Sequence, residues 1–310
     1  MALNYAEVWS PDLLEIMEQE SLTSPFVTTA VKWLSAKTFH FTQMSTSGYK
    51  SHSRLGGWNK GTFAQTDVPF TLTHDRDISF LVDKIDVDET NETASIKNIS
   101  EVFHKTQQIP EMDAYFYSKV ATEAQKLDGY HSSTALSSYT KENVYGKLKA
   151  MLSAGKLRRY VAKGALIAYV NSTIMDLLEQ STDFTRKIEM TQIAEGGVGI
   201  ETRITDIDGV TLIEVIDDER FYDKFDFTDG FAPVANTSHK INVLIASPLT
   251  VKTVPKIASI YYFNPGQHTE GDGYLYQDRS LSDTFVFPNG KDNKIDSIYV
   301  DVDTETYTAE

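Results

Sequence analysis

Between residues 37 and 90 the sequence alternates apolar and polar side chains in three places, and this restricts the fold more than any other feature. Phe39 and Phe41 alternate with His40 and Thr42, and Val68, Phe70 and Leu72 with Pro69, Thr71 and Thr73. Ile78, Phe80 and Val82 continue the period of two. That period is the mark of a half-buried strand, because successive side chains point to opposite faces. Gly56-Gly57-Trp58-Asn59-Lys60-Gly61 lies between the strand signals as a turn cluster. The segment therefore predicts a long two-stranded arm. Such a ribbon is marginal in water by itself and exposes unpaired edges. Either it folds back on its own domain or it lies on a neighbour.

The flanking segments predict a mixed chain. Residues 12–20 suit a short helix after Pro11, a favourable first-turn position, and Pro25 ends any continuation. The rest of residues 1–36 reads as an extended arm. Residues 93–106 carry Ile96, Ile99 and Phe103 at helical spacing. Pro110 opens a second helix to about Leu127, with Glu111 and Asp113 favourable near its positive start and Gly129 as a stop. Met112, Phe116, Val120, Ala124 and Leu127 form one stripe on it, which an ordinary core helix explains by itself. Residues 141–152 predict a third helix and residues 166–170 a strand. Asn171-Ser172 caps a fourth helix over residues 173–180. From Ile188 onward strands dominate: a loop at 195–199, a hairpin turning at Asp208-Gly209, and a buried run at 241–246. A short helix from Ser247-Pro248, strands at 257–263, 274–287 and 295–300, and a turn at Asn264-Pro265-Gly266 complete the reading. The fold class is α+β.

Composition closes several doors. The 310 residues carry a net charge of −15, so the chain has no general attraction for nucleic-acid phosphates. Lys156, Arg158, Arg159 and Lys163 sit close together but read as a solvated helix end. The absence of cysteine excludes disulfides, thiolate metal sites and cysteine nucleophiles. The start lacks a basic segment followed by an apolar run, and no stretch approaches the roughly 20 apolar residues of a membrane span. Folding in a cytoplasm and no membrane partner are the expectations.

No constellation of side chains points to a reaction. The seven histidines (His40, His52, His74, His104, His131, His239 and His268) show no zinc spacing, and no Gly-x-Ser-x-Gly elbow exists. His74-Asp75-Arg76-Asp77 is the densest polar cluster and reads as a surface turn. Asp206-Ile207-Asp208-Gly209 lacks the remaining ligands of a calcium loop, and Asp86-Val87-Asp88-Glu89 reads as an acidic strand end. Gly196-Gly197-Val198-Gly199 is followed by no Gly-Lys-Ser/Thr and is no phosphate loop. No catalytic residue, cofactor or metal is expected, and the chain is not read as an enzyme.

The order of elements, with three short stretches, carries a resemblance. These are Gln108-Ile109-Pro110-Glu111-Met112-Asp113-Ala114-Tyr115 with Tyr117-Ser118-Lys119, the run from Leu177 to Arg186, and Phe263-Asn264-Pro265-Gly266-Gln267-His268. Arm, ribbon, long helix, helix–strand–helix unit and β-rich remainder together resemble the major capsid proteins of tailed double-stranded-DNA bacteriophages, of siphophage or prophage type. Herpesvirus shells and encapsulin compartments share that fold. The resemblance implies an N-terminal arm at 1–36 and an extended loop at 37–90. It implies a peripheral domain with its spine helix from Pro110 at 91–187 and 255–310, and an axial domain at 188–254. It implies assembly of the chain with itself into hexamers and pentamers of an icosahedral head. Trp58, Lys60, Val68, Phe70 and Leu72 on the loop and Met112, Phe116 and Val120 on the helix are the expected assembly residues.

Further partners implied are a separate scaffolding protein, with no large N-terminal cleavage, and a portal protein; a decoration protein is also allowed. Double-stranded DNA would be enclosed without sequence-specific binding, in a virion assembled in the host bacterial cytoplasm. Lys50 and Lys60 match no cross-linking role and read as surface lysines. The rival readings are an encapsulin-like compartment, a tail-tube or decoration protein, and a β-rich enzyme.

Overall fold

The computed structural model describes residues 21–29, 33, 35, 37–52, 56–85, 96–181, 189–191, 202–289 and 294–308. The predicted helix at 12–20, the acidic run at 86–89 and the glycine loop at 195–199 lie outside the described residues.

The ribbon forms as its alternation requires. β1 (Thr38–Thr46) and β2 (Phe63–Thr71) pair antiparallel from Thr38↔Thr71 to Thr46↔Phe63. Its root is anchored by aromatic burial: Phe39 and Leu72 lie in one core cluster with Val254, Leu281 and Phe287. Phe39 and Phe285 meet edge-on at 5.2 Å, and Phe70 and Phe287 at 5.0 Å. Aromatic pairs in this geometry add to simple area burial.

The third alternating segment does not lengthen the ribbon, a correction to the loop expected at 37–90. β3 (His74–Asp83) pairs with β13 (Gly273–Val286) over ten residues, from His74↔Ser282 to Asp83↔Gly273. Leu72 and Thr73 interrupt the strand. Leu72 is buried, and Thr73 donates to the Asp283 carboxylate through its amide (3.0 Å) and hydroxyl (2.9 Å), which redirects the chain. β12 (Val251–Phe263) completes a three-stranded sheet in the order β12-β13-β3. It starts earlier than expected. Ser247-Pro248 opens a turn instead of a helix, with Thr250 and Val251 amides donating to the Ser247 carbonyl. Pro255 is tolerated because β12 is an edge strand, and the register shifts directly after it. Gly273 is required by close approach: a Cβ there would lie 2.2 Å from the Val82 carbonyl oxygen.

Two separate helices were expected around Pro110, but the chain stays helical from Ile96 to Gln125. α1 (Ile96–Phe103) passes through a π-helical turn (His104–Gln108) into α2 (Ile109–Gln125). Proline lacks an amide donor, and its ring presses on the carbonyl four residues earlier. The wider turn removes that conflict: the Ile109 amide reaches back to the His104 carbonyl, and Pro110 falls in the first turn of α2.

A seven-stranded mixed sheet forms the body. β4 (His131–Ser133), β5 (Ile167–Asn171), β6 (Glu189–Thr191), β7 (Thr202–Ile207), β8 (Val210–Val215), β11 (His239–Ala246) and β14 (Ile298–Thr306) lie in the order β4-β14-β11-β5-β8-β7-β6. Asp208 and Gly209 take φ of 52° and 79°, so the β7–β8 turn has the positive-φ pair that matches strand twist. One face packs on α3 (Val144–Leu152), α4 (Arg158–Val161) and α5 (Ser172–Gln180), whose N-cap Asn171 accepts the Thr173 amide at 2.9 Å. The other face buries Phe26, Phe116, Tyr117 and Val120 against Tyr169, Leu244 and Val300. Coverage of both faces explains the apolar run at 243–246 of β11. A small hairpin of β9 (Phe225–Asp226) and β10 (Ala232–Pro233) lies outside this sheet. The sheets also cut across the expected division at 188–254, since β4, β5 and β14 share a sheet with β6 to β8 and β11.

Candidate functional site

The ribbon leaves the body. Every described residue from 44 to 65 is exposed. Tyr49 and Trp58 are essentially bare, at 110% and 94% exposure, and Phe63 and Met44 remain at 76% and 60%. The tip is closed by backbone and amide bonds: the Ser47 amide donates to the Thr62 carbonyl (2.8 Å), and the Asn59 side chain donates to the Ser51 carbonyl (2.9 Å). An open concavity of about 630 Å³ lies here, with Tyr49, Lys50, His52, Trp58 and Lys60 among its walls.

The expected assembly residues divide. Trp58 and Lys60 stand exposed on the tip. Val68, Phe70 and Met112 are half-buried, and Phe70 lies within the aromatic root. Leu72, Phe116 and Val120 are 2%, 1% and 0% exposed and fill this chain's own core. Sequence reasoning passed over Met44, Tyr49 and Phe63. Their signal was apolar side chains beside a glycine cluster, with no second apolar layer to cover them.

A set of buried ionic links ties the root of the arm and ribbon to α2. Asp113, fully buried, accepts from Ser21 Oγ (2.6 Å), Thr23 Oγ1 (2.7 Å), the Leu22 amide (3.3 Å) and Arg220 (3.0 Å). Phe26 then packs on Phe116 with ring centroids 4.7 Å apart. The His74–Asp77 cluster is no surface turn, contrary to expectation. Arg76 pairs with Glu111 at 2.6 Å and donates to the carbonyls of Phe227 and Gly230, while the His74 ring stacks on Tyr115 at 3.9 Å. Arg279 and Lys37 hold the Asp75 carboxyl at about 2, well below the carboxylate range. Burial, then the Asp283 charge, pushes the Tyr115 phenol well up, and Tyr115 donates to Asp283 at 2.8 Å.

Beneath the π-helical turn, buried His104 contacts Gln108 and shares a 2.9 Å hydrogen bond with Tyr276, which lies 3.4 Å from Asp278. Burial pushes the Asp278 carboxyl up to about 6 and holds the His104 ring below its ordinary value. These groups are enclosed. Among the described residues no three His, Asp or Glu side chains are placed to hold a metal, and no helix is long and apolar enough to cross a membrane. The Lys156–Lys163 basic group sits around α4, with Arg158 near Asp208 (3.7 Å) and Arg159 near Asp296 (3.8 Å).

No family model and no curated protein matches the sequence. Solved structures match its shape. The asymmetric unit of the bacteriophage PhiM1 mature capsid aligns with a TM-score of 0.62 at 14% identity, over 93% of this chain and 88% of that one. The capsid structure of the cyanophage P-SCSP1u gives 0.60 at 11% identity, over 90% and 86%. A structure from Mycobacterium phage Bobi gives 0.55 at 11% identity, over 92% and 91%. The chain has the tailed-phage capsid fold. Identity this low with shape this close means that the capsid fold is held by apolar pattern and topology, not by shared side chains. Within it, the described residues from 44 to 65 of the ribbon are left exposed by its own body.

Proposed function

We propose that this chain is the major capsid protein of a tailed double-stranded-DNA phage and that its work is geometric. Copies join head to tail into hexamers and pentamers, and these close an icosahedral shell around the genome. A separate scaffolding protein and a portal protein are its assembly partners, with a decoration protein as an optional addition. DNA is enclosed without sequence readout. The place of action is the virion, after assembly in the host cytoplasm.

One observation carries this reading: a capsid fold whose ribbon exposes apolar side chains from residue 44 to residue 65 that its own body does not bury. Burying on the order of 100 Å² on each of Met44, Tyr49, Trp58 and Phe63 would yield about 10 kcal/mol per ribbon. Association costs roughly 4–15 kcal/mol. A single ribbon contact is therefore weak, and many contacts closing a shell are strong together.

Expression alone and with a scaffolding partner, followed by sizing and negative-stain microscopy, tests the reading. Rings or closed particles are expected, and Trp58→Ala lowers their yield with an unchanged thermal melt. A stable monomer that forms no rings or particles at any concentration would refute it. Packaged enzyme in place of DNA would identify a compartment shell, and tubes a tail component.

A further inference from the structure

Three polar side chains under the π-helical turn are buried together and play no part in the assembly proposed above. Asp278, Tyr276 and His104 are 6%, 2% and 2% exposed. On β13, Asp278 lies between Ile260 of β12 and Ile78 of β3, and Tyr276 between Tyr262 and Phe80. Apolar flanks of this kind oppose a carboxylate charge, and burial accordingly pushes the Asp278 carboxyl up to about 6. His104 opens the π-helical turn and Gln108 closes it. The side chains meet in series: Gln108 Oε1 on His104 Nδ1, His104 Nε2 on the Tyr276 hydroxyl at 2.9 Å, and that hydroxyl beside Asp278 Oδ2 at 3.4 Å.

The inventory of donors fixes the direction of this series. A neutral imidazole has one N–H and one acceptor nitrogen, a phenol has one proton, and an amide oxygen only accepts. Gln108 presents its oxygen, so His104 Nδ1 donates to it and Nε2 accepts from Tyr276. Tyr276 can then meet Asp278 only as an acceptor, which requires a proton on the Asp278 carboxyl. An ionised Asp278 requires the reverse. Tyr276 donates to the carboxylate, His104 Nε2 donates to Tyr276, and the Gln108 amide turns its NH2 to Nδ1. Each direction leaves no buried donor of the series unpaired, and leaving one unpaired is costly.

Among the described residues, the other titratable and charged groups on the packed elements are paired, uncharged or turned away. Arg76 and His74 of β3 lie 2.6 Å and 3.6 Å from Glu111 of α2, and Lys105 pairs with Glu101 on the helical run at 2.8 Å. Tyr262 and Tyr274 present phenols. Asp75, Asp77 and Arg279 alternate to the opposite face of the sheet, where Arg279 and Asp75 pair at 3.0 Å. Burial holds the His104 ring below its ordinary value, which favours a neutral imidazole.

We propose that Asp278, Tyr276, His104 and Gln108 form a proton switch: a protonated Asp278 holds His104 as the Nδ1–H tautomer, and loss of one proton reverses the series, leaving the Nε2–H tautomer and a rotated Gln108 amide. The step balances. The carboxyl proton passes to the Tyr276 oxygen as the phenolic proton passes to His104 Nε2, and the Nδ1 proton leaves to water. The switch couples a proton on the sheet to the side-chain bridge across the π-helical turn, a type of turn found often at functional sites. It belongs to the folded subunit and does not depend on shell assembly.

Nitrogen NMR of the imidazole rings in the full-length unassembled subunit, with labelled histidine, tests this. The His104 signal is assigned by its loss in His104→Asn. The expected result is the Nδ1–H tautomer at about pH 5 and the Nε2–H tautomer at about pH 7.5, with the midpoint of the Asp278 carboxyl titration. Asp278→Asn and Tyr276→Phe should each hold one tautomer at both pH values, and thermal melts show whether each variant is folded. A wild-type ring that keeps one tautomer throughout, or carries both protons at the lower pH, overturns the proposal, and this measurement decides it if a variant fails to fold. Tautomer exchange that persists in a folded variant also overturns it. None of these outcomes bears on whether the chain forms shells.

Discussion

Replacing Asp113 by alanine tests how the arm is fixed to the body. The carboxylate is 0% exposed and gathers three donors from residues 21–23 and one from Arg220. Removing it leaves the Arg220 guanidinium, 13% exposed, with Asp217 at 3.2 Å as its remaining described carboxylate. It also leaves the Ser21 and Thr23 hydroxyls, 6% and 4% exposed by residue, with each other at 2.9 Å and the Thr23 amide donating to Ser21 Oγ at 3.2 Å. Removing one partner of a buried ion pair costs roughly 3–5 kcal/mol. Because Asp217 remains, the lower half of that range applies, and the helix propensity gained by alanine offsets only about 0.5 kcal/mol. Urea unfolding of the unassembled subunit, followed by tryptophan fluorescence, should therefore show a loss of about 3 kcal/mol. Protease should cut near residues 21–26 faster in the variant, since the polar half of that anchor is gone while Phe26 remains. Asp113→Asn keeps acceptor capacity and should fall between the two. A loss under about 1 kcal/mol, with unchanged proteolysis, would refute the assignment of Asp113 as the anchor.

Three further outcomes are expected. Gly273→Ala pushes a methyl onto the Val82 carbonyl and should cost about 1–3 kcal/mol, with faster amide exchange along β3; unaltered exchange would contradict the close approach. Asp278 has a folded value of about 6, above its ordinary 3.8, so the folded state holds the extra proton between these values and stability falls as pH rises through that window. Asp278→Asn should remove about 2 kcal/mol from the difference in stability between pH 4 and pH 7, read from urea midpoints, and retention of the wild-type slope would exclude this origin. Phe39→Ala at the ribbon root should cost about 3–5 kcal/mol, whereas Trp58→Ala at the tip should change stability by less than about 0.5 kcal/mol; comparable losses would show that the tip packs on its own body.

Local features were legible in the sequence. Alternation at Phe39 and Phe70 marks β1 and β2, Asp208-Gly209 marks its hairpin, and Asn171 marks the start of α5. Non-local features were not. β3 has the same alternation as the ribbon strands, and only pairing with β13, some 200 residues later, separates them. The stripe of Met112, Phe116 and Val120 shows that a helix face is covered but not whether its own chain or another copy covers it. Asp113, Asp283 and Asp301 look like surface acids because their donors lie far off in sequence. Pro110 resembles a helix start, and only the π-helical turn keeps the helix whole.

The placement of β14 bears on synthesis. It is inserted between β4 and β11, and its Asp301 accepts from Ser132, Thr134, Tyr139 and Asn242, all translated earlier. Until residue 306 has been made, the main sheet lacks its second strand, and the facing flanks of β4 and β11 are unpaired. A chain that stops before β14 therefore cannot complete the sheet.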